Sequence, residues 1–181
     1  MNVVLVGYRG TGKSSVAKLL GRTLGFGVVS FDEEIERRAG HSIVQIVEAR
    51  GWEAFRDLEE QVCRAYATGT GQVLDCGGGV VERDANIEVL RRAGPVVWLT
   101  ASPQVIVERI QGDSQRPSLS GTKSFTDEVE EIVHRRAPLY DRISDYRVDT
   151  EGRCVAEVAS DIMRLIEDDL EHEAVGPPPR R

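Results

Sequence analysis

Gly7-Tyr8-Arg9-Gly10-Thr11-Gly12-Lys13-Ser14 is the stretch whose reading decides the fold. A compact apolar run, 2–6, leads into it. Behind it, 14–24 carries Val16, Leu19, Leu20 and Leu24 at helical spacing. G-x-x-x-x-G-K-S between a strand and a helix predicts a phosphate-binding loop. The glycines let successive backbone N–H groups turn inward toward phosphate oxygens, and the helix N-terminus adds its positive dipole end. Lys13 is expected to reach the β- and γ-phosphates of ATP, and the Ser14 hydroxyl to ligate Mg²⁺.

Outward from the loop, short apolar runs alternate with longer amphipathic segments. Strands are predicted at 28–31, 72–76, 95–99 and 146–148. Helices are predicted over 82–93, 103–111, 125–143 and 154–170, with Ser102-Pro103 starting the second and Pro138 expected to bend or interrupt the third. Helical patterning also fills 32–68, punctuated by Gly40 and Gly51. This alternation predicts an α/β fold, a three-layer α/β/α sandwich around a five-stranded parallel sheet. Ligands in such sheets bind beyond the carboxyl ends of the strands, where the glycine turns after strands one and three fall. The polar stretch 112–124 is expected to be a mobile lid. The expected domain is 1–172, and 173–181, with three consecutive prolines, is expected to be a disordered tail.

Composition excludes several classes. The chain has 181 residues, 40 % hydrophobic and 29 % charged, with 23 Lys+Arg against 30 Asp+Glu, a net −7. An acidic chain is a poor nucleic-acid binder, and no apolar stretch approaches the roughly 20 residues of a membrane span. The N-terminus shows no secretory pattern, so a cytoplasmic protein is expected. Cys63, Cys76 and Cys154 have no metal or disulfide spacing and are expected to be buried thiols. His41, His134 and His172 are expected in surface or capping roles. No Asn-Lys-x-Asp guanine reader is present, and the length suits a small-molecule kinase better than a motor or transport ATPase.

Acceptor chemistry must come from residues beyond the loop. Asp32 follows strand two; it reads either as a ligand-binding carboxylate or as a helix cap. Arg56 reads either as an anion site or as a surface partner of Glu59 at i,i+3. Gly77-Gly78-Gly79 is a plain turn or a backbone approached closely by a ligand. Arg116 and Arg136, taken singly, read as solvated charges.

Taken in order, these residues resemble the shikimate kinase family. The resemblance rests on Gly10-Thr11-Gly12-Lys13-Ser14, Asp32-Glu33-Glu34-Ile35-Glu36, Phe55-Arg56-x-x-Glu59, Gly77-Gly78-Gly79, Arg116-Pro117 and Arg136-Ala137-Pro138-Leu139-Tyr140. It implies a P-loop NTPase architecture like that of nucleoside monophosphate kinases, and ATP-dependent phosphorylation of the 3-hydroxyl of shikimate. ATP would be held by Gly10, Thr11, Gly12, Lys13, Ser14, Ser15, Arg109, Arg116 and Arg153. Shikimate would be held by Asp32, Arg56, Gly77, Gly78, Gly79 and Arg136, the two arginines taking its carboxylate. Lys13, Asp32 and Arg116 would be catalytic, Asp32 as proton acceptor and Arg116 as a lid charge over the moving phosphoryl group. The acceptor-binding segment, about 32–68, would close over the substrate, and a monomer is expected.

Two departures stand out. The family's Asp-x-Asp at the end of strand two reads Ser30-Phe31-Asp32 here, and Ser118 follows Arg116-Pro117 where leucine is common. Conversely, strand three ends in Asp75 where the family carries a small residue. Asp75 is expected to supply, through water, the magnesium-shell carboxylate missing at position 30. A kinase of another hydroxylated carboxylic acid and a silent nucleotide-binding regulator are the alternatives.

Overall fold

The computed structural model describes residues 1–110, 125–167 and 169. β1 (Val3–Val6) is buried at every residue, the pattern of a central parallel strand covered on both faces. It pairs with β3 (Gln72–Asp75) on one side and β4 (Val96–Thr100) on the other. β2 (Gly27–Ser30) and β5 (Tyr146–Asp149) complete a parallel sheet in the order β2-β3-β1-β4-β5.

Helices α1 (Lys13–Leu24), α2 (Phe31–Ala39), α3 (Ile43–Ala67), α4 (Asp84–Ala93), α5 (Pro103–Ile110), α6 (Phe125–Ile143) and α7 (Val155–Leu165) surround it. Side chains alternate across the strands, so the sheet separates two cores. Val4, Val6 and Leu74 meet Phe31, Ile35, Phe55, Leu90 and Tyr140 on one face. Val3, Leu5 and Val73 meet Val16, Leu20, Val158 and Ile162 on the other. The expected three-layer α/β/α architecture is therefore present. No helix among the described residues is long and apolar enough to cross a membrane.

Several expectations are corrected in detail. Phe31 does not end β2; it opens α2, with its ring fully buried among the helices on that face. The predicted helix 82–93 is two pieces. A 3-10 turn at Val80–Glu82 is followed by Arg83 in extended backbone, and α4 starts at Asp84. Pro138 lies inside α6 without interrupting it. α7 runs Val155–Leu165 with Ile166 as its cap, and the predicted end at 170 lies outside the described residues. Gly40 closes α2 and Gly51, at φ 79°, kinks α3, as the punctuation foretold.

Cys63 and Cys76 are buried, and burial pushes the Cys63 thiol up to about 12. Cys154 is exposed, against expectation, because it is the N-cap of α7, its N–H donating to Glu157 Oε2 at 2.8 Å. His41 and His134 are exposed as expected. The expected lid 112–124 with Arg116 and Ser118, His172, and the tail 173–181 lie outside the described residues.

Candidate active site

The phosphate loop owes its shape to glycine at particular points. Gly7 has φ 139°, and a Cβ there would lie 2.4 Å from the Leu99 carbonyl oxygen. Gly12, at φ 88°, caps α1 and, being glycine, offers no side chain to bond the first N–H groups of the helix. Such an end is suited to phosphate oxygens. The loop is braced from within, Thr11 Oγ1 and Lys13 Nζ donating to the Tyr8 carbonyl at 2.8 and 3.0 Å. Gly10, Gly12, Lys13, Ser14 and Ser15 line one pocket with Asp32, Asp75, Gly77, Gly78 and Arg109.

Asp32 sits in the first turn of α2, but the capping role falls to Ser30, whose Oγ accepts from Glu33 N–H at 3.4 Å. The serine that replaces the expected carboxylate thus has a structural task of its own. Its strand partner in register is Asp75. Asp75 is 6 % exposed, and no hydrogen bond or ion pair to a described residue engages its carboxylate.

The glycine run after β3 has close neighbours within the protein itself. At Gly79 a Cβ would lie 2.0 Å from Arg56 Nη2, and at Gly77 it would lie 2.7 Å from Glu59 Oε1 and 3.0 Å from Asp32 Oδ1. Side chains of the protein itself therefore press against this backbone. The Gly78 carbonyl accepts from Arg136 Nη1 at 3.2 Å and from the Tyr140 hydroxyl. The turn thereby lies between the phosphate loop and the two arginines.

Arg56 and Arg136 are not surface charges: both are buried, at 7 % and 4 % exposure. The i,i+3 pair with Glu59 does form, Arg56 Nη1 donating to Oε2 at 2.6 Å, but it forms in the interior. Burial pushes the Glu59 carboxyl up against the pull of Arg56. Glu82 was given no role by the sequence, yet it binds both arginines. Burial raises its pKa, but Arg136 and Arg56 outweigh that and hold the carboxyl below its ordinary value. Burial works against the Arg136 cation too, and Tyr140 and Glu82 more than offset it.

Arg109 reaches the loop, its Nη1 donating to the Gly10 carbonyl at 3.2 Å and to Thr150 Oγ1 at 3.0 Å. Arg153 is tied elsewhere, to the carbonyls of Asp149 and Glu157 and the carboxylate of Asp161. It does not line the pocket of Lys13 as described. Among the described residues no group of three or more His, Cys, Asp or Glu side chains forms a metal site. The oxygen donors near Lys13 are instead a serine hydroxyl and carboxylates, the hard ligands Mg²⁺ prefers, and few protein ligands suit an ion that arrives with phosphates.

A phosphate loop on a β2-β3-β1-β4-β5 parallel sheet, beside a small pocket lined by buried arginines, defines a P-loop small-molecule kinase. The family model for shikimate kinase matches residues 9–167. Shikimate kinase of Geobacter sulfurreducens is 41 % identical over 91 % of this chain and 90 % of its own. That of Thermodesulfovibrio yellowstonii is 40 % identical over 92 % and 95 %. The structure of shikimate kinase from Acinetobacter baumannii in complex with shikimate is similar with a TM-score of 0.88, at 31 % identity over 93 % of each chain. The chain belongs to the shikimate kinase family.

Proposed function

We propose that the protein transfers the γ-phosphoryl group of ATP to the 3-hydroxyl of shikimate, giving shikimate 3-phosphate and ADP for aromatic amino-acid biosynthesis. One observation carries the reading: two buried guanidinium groups, Arg56 and Arg136, converge on one carboxylate beside the glycine turn that borders the phosphate loop. Burying two cations at this cost suits an acceptor that is itself an anion. The protein is read as a cytoplasmic monomer acting on these small molecules alone.

Gly10, Thr11, Gly12, Lys13, Ser14 and Ser15 would hold the nucleotide phosphates, with Arg109 and Arg153 toward the base. Asp32 would orient ring hydroxyls and take the proton from the attacking one. Arg56 and Arg136 would fix the acceptor carboxylate, and Gly77, Gly78 and Gly79 would border the ring. Arg116, carried over from the family pattern, would neutralise charge on the transferring group. Transfer of this kind draws its rate from positioning and charge stabilisation.

Ser14 and Asp75 would hold Mg²⁺, Asp75 through water. The ion supplies charge neutralisation on the β- and γ-oxygens when bound. Pairing of Ser30 with Asp75 supports the exchange of carboxylates: a metal-shell oxygen lost from one strand end reappears on its neighbour. Asp75→Asn should raise the Mg²⁺ concentration for half-maximal activity, and weaken Mg²⁺-dependent ADP binding, by about 10- to 100-fold. Wild-type magnesium dependence in both measurements would remove Asp75 from the shell.

The function is tested by ADP release from MgATP with shikimate, quinate or gluconate as acceptor. Stimulation by shikimate alone is expected. Stimulation by another acid would keep the kinase and change the substrate, and stimulation by none would favour a nucleotide-binding regulator.

A further inference from the structure

Glu82 already holds the groups that an acceptor carboxylate needs. Its Oε1 accepts from Arg136 Nε at 2.7 Å and lies 2.6 Å from Arg136 Nη2. Arg135 Nη2 donates to the same oxygen at 2.9 Å, and Oε2 lies 3.5 Å from Arg56 Nη2. A single internal carboxylate thus spans both buried guanidinium groups, as a bound acid would.

Charge counting makes this arrangement consequential. The two buried cations, Arg56 and Arg136, are balanced by two carboxyl groups, Glu59 and Glu82, and the third guanidinium on Glu82, that of Arg135, stands exposed at the rim where water screens it. An entering carboxylate would place a third acidic group against two cations in a poorly solvated site, which is costly unless one withdraws. Glu59 cannot withdraw, since it is fully buried against the Gly77 backbone. Glu82 can: it ends a short 3-10 turn, its side chain is 28 % exposed, and it stands at the wall of the pocket shared by Trp52, Arg56 and Arg136.

We infer that Glu82 is an internal competitor for the acceptor carboxylate, holding Arg56 and Arg136 in place while the site is empty and swinging aside when the acid binds. The inference rests on the reading of the acceptor as a carboxylic acid. Glu82 reduces the apparent affinity to the intrinsic affinity multiplied by the fraction of molecules in which it is withdrawn. It also discriminates, since only a ligand that supplies its own carboxylate can replace the bonds Glu82 gives up.

The test is equilibrium binding of shikimate to wild type, Glu82→Gln and Glu82→Ala, followed by the fluorescence of Trp52, whose ring centre lies 5.7 Å from Arg56 Cζ. Both variants should bind shikimate about tenfold more tightly than wild type. An analogue with the carboxylate reduced to a hydroxymethyl group should show no such gain. Nucleotide binding, measured alongside, reports on folding. Equal or weaker shikimate binding by both variants would overturn the competitor role while leaving the acceptor assignment standing. Binding of shikimate to none of the three proteins, with nucleotide still bound, would overturn the acceptor assignment and this inference with it.

Discussion

Asp32→Asn is expected to lower kcat for shikimate phosphorylation by about 10²- to 10⁴-fold while nucleotide binding is retained. Asparagine keeps the size and one oxygen of the side chain but cannot take a proton. Because Ser30 caps α2, the substitution spares the helix start, and its effect reports on chemistry. Asp32 lines the pocket of Lys13 and Ser14. The measurement is a steady-state comparison of kcat in the two proteins, with nucleotide affinity determined alongside. A kcat within a few-fold of wild type would take the proton-accepting role away from Asp32.

Gly79→Ala should weaken acceptor recognition through one methyl group. The Gly79 backbone, at φ −102° and ψ 4°, accommodates alanine, so the substitution tests space and not backbone strain. Its Cβ would fall 2.0 Å from Arg56 Nη2 and 2.3 Å from Cζ, well inside any van der Waals contact. Arg56 has little room to yield, being bound to Glu59 in the interior. Losing its charged hydrogen bond to the acceptor, worth about 1.5–3 kcal/mol, should raise the KM for shikimate roughly 10- to 100-fold. The KM for ATP should stay near wild type, which also shows that the protein folds. The variant should match Arg56→Ala, and a wild-type KM for shikimate would show that Arg56 does not hold the acceptor.

These two residues illustrate what could be read along the chain. The phosphate loop and the layer order are local matters: strand, glycine turn and helix follow one another within about twenty residues, so apolar spacing and one motif suffice. The site beyond the loop depends on contacts between distant segments. Arg136 meets Glu82 across 54 positions and the Gly78 carbonyl across 58. Nothing local distinguishes Glu82 from a solvated glutamate, and it stands in a 3-10 turn that helical patterning absorbed into α4. The glycine run was legible as a place of close approach, but not what approaches; the answer, Arg56 and Glu59, comes from the kinked helix α3. Ser30 read as a missing ligand, whereas its capping bond appears only once β2 is seen to pass directly into α2. Cys154 went wrong for the same kind of reason, since apolar character suggested burial and its place at a helix start exposed it. Family resemblance brought Arg56, Asp32 and Arg136 together before geometry could, and the fold sets them around one glycine turn.

The most direct test of the central claim is the product itself. Incubated with MgATP and shikimate, the protein should form one phosphate ester per ADP released, with ³¹P–¹H coupling to the proton at C3 and to no other ring carbon. ADP formed without an ester of shikimate, or an ester at another hydroxyl, would contradict the account.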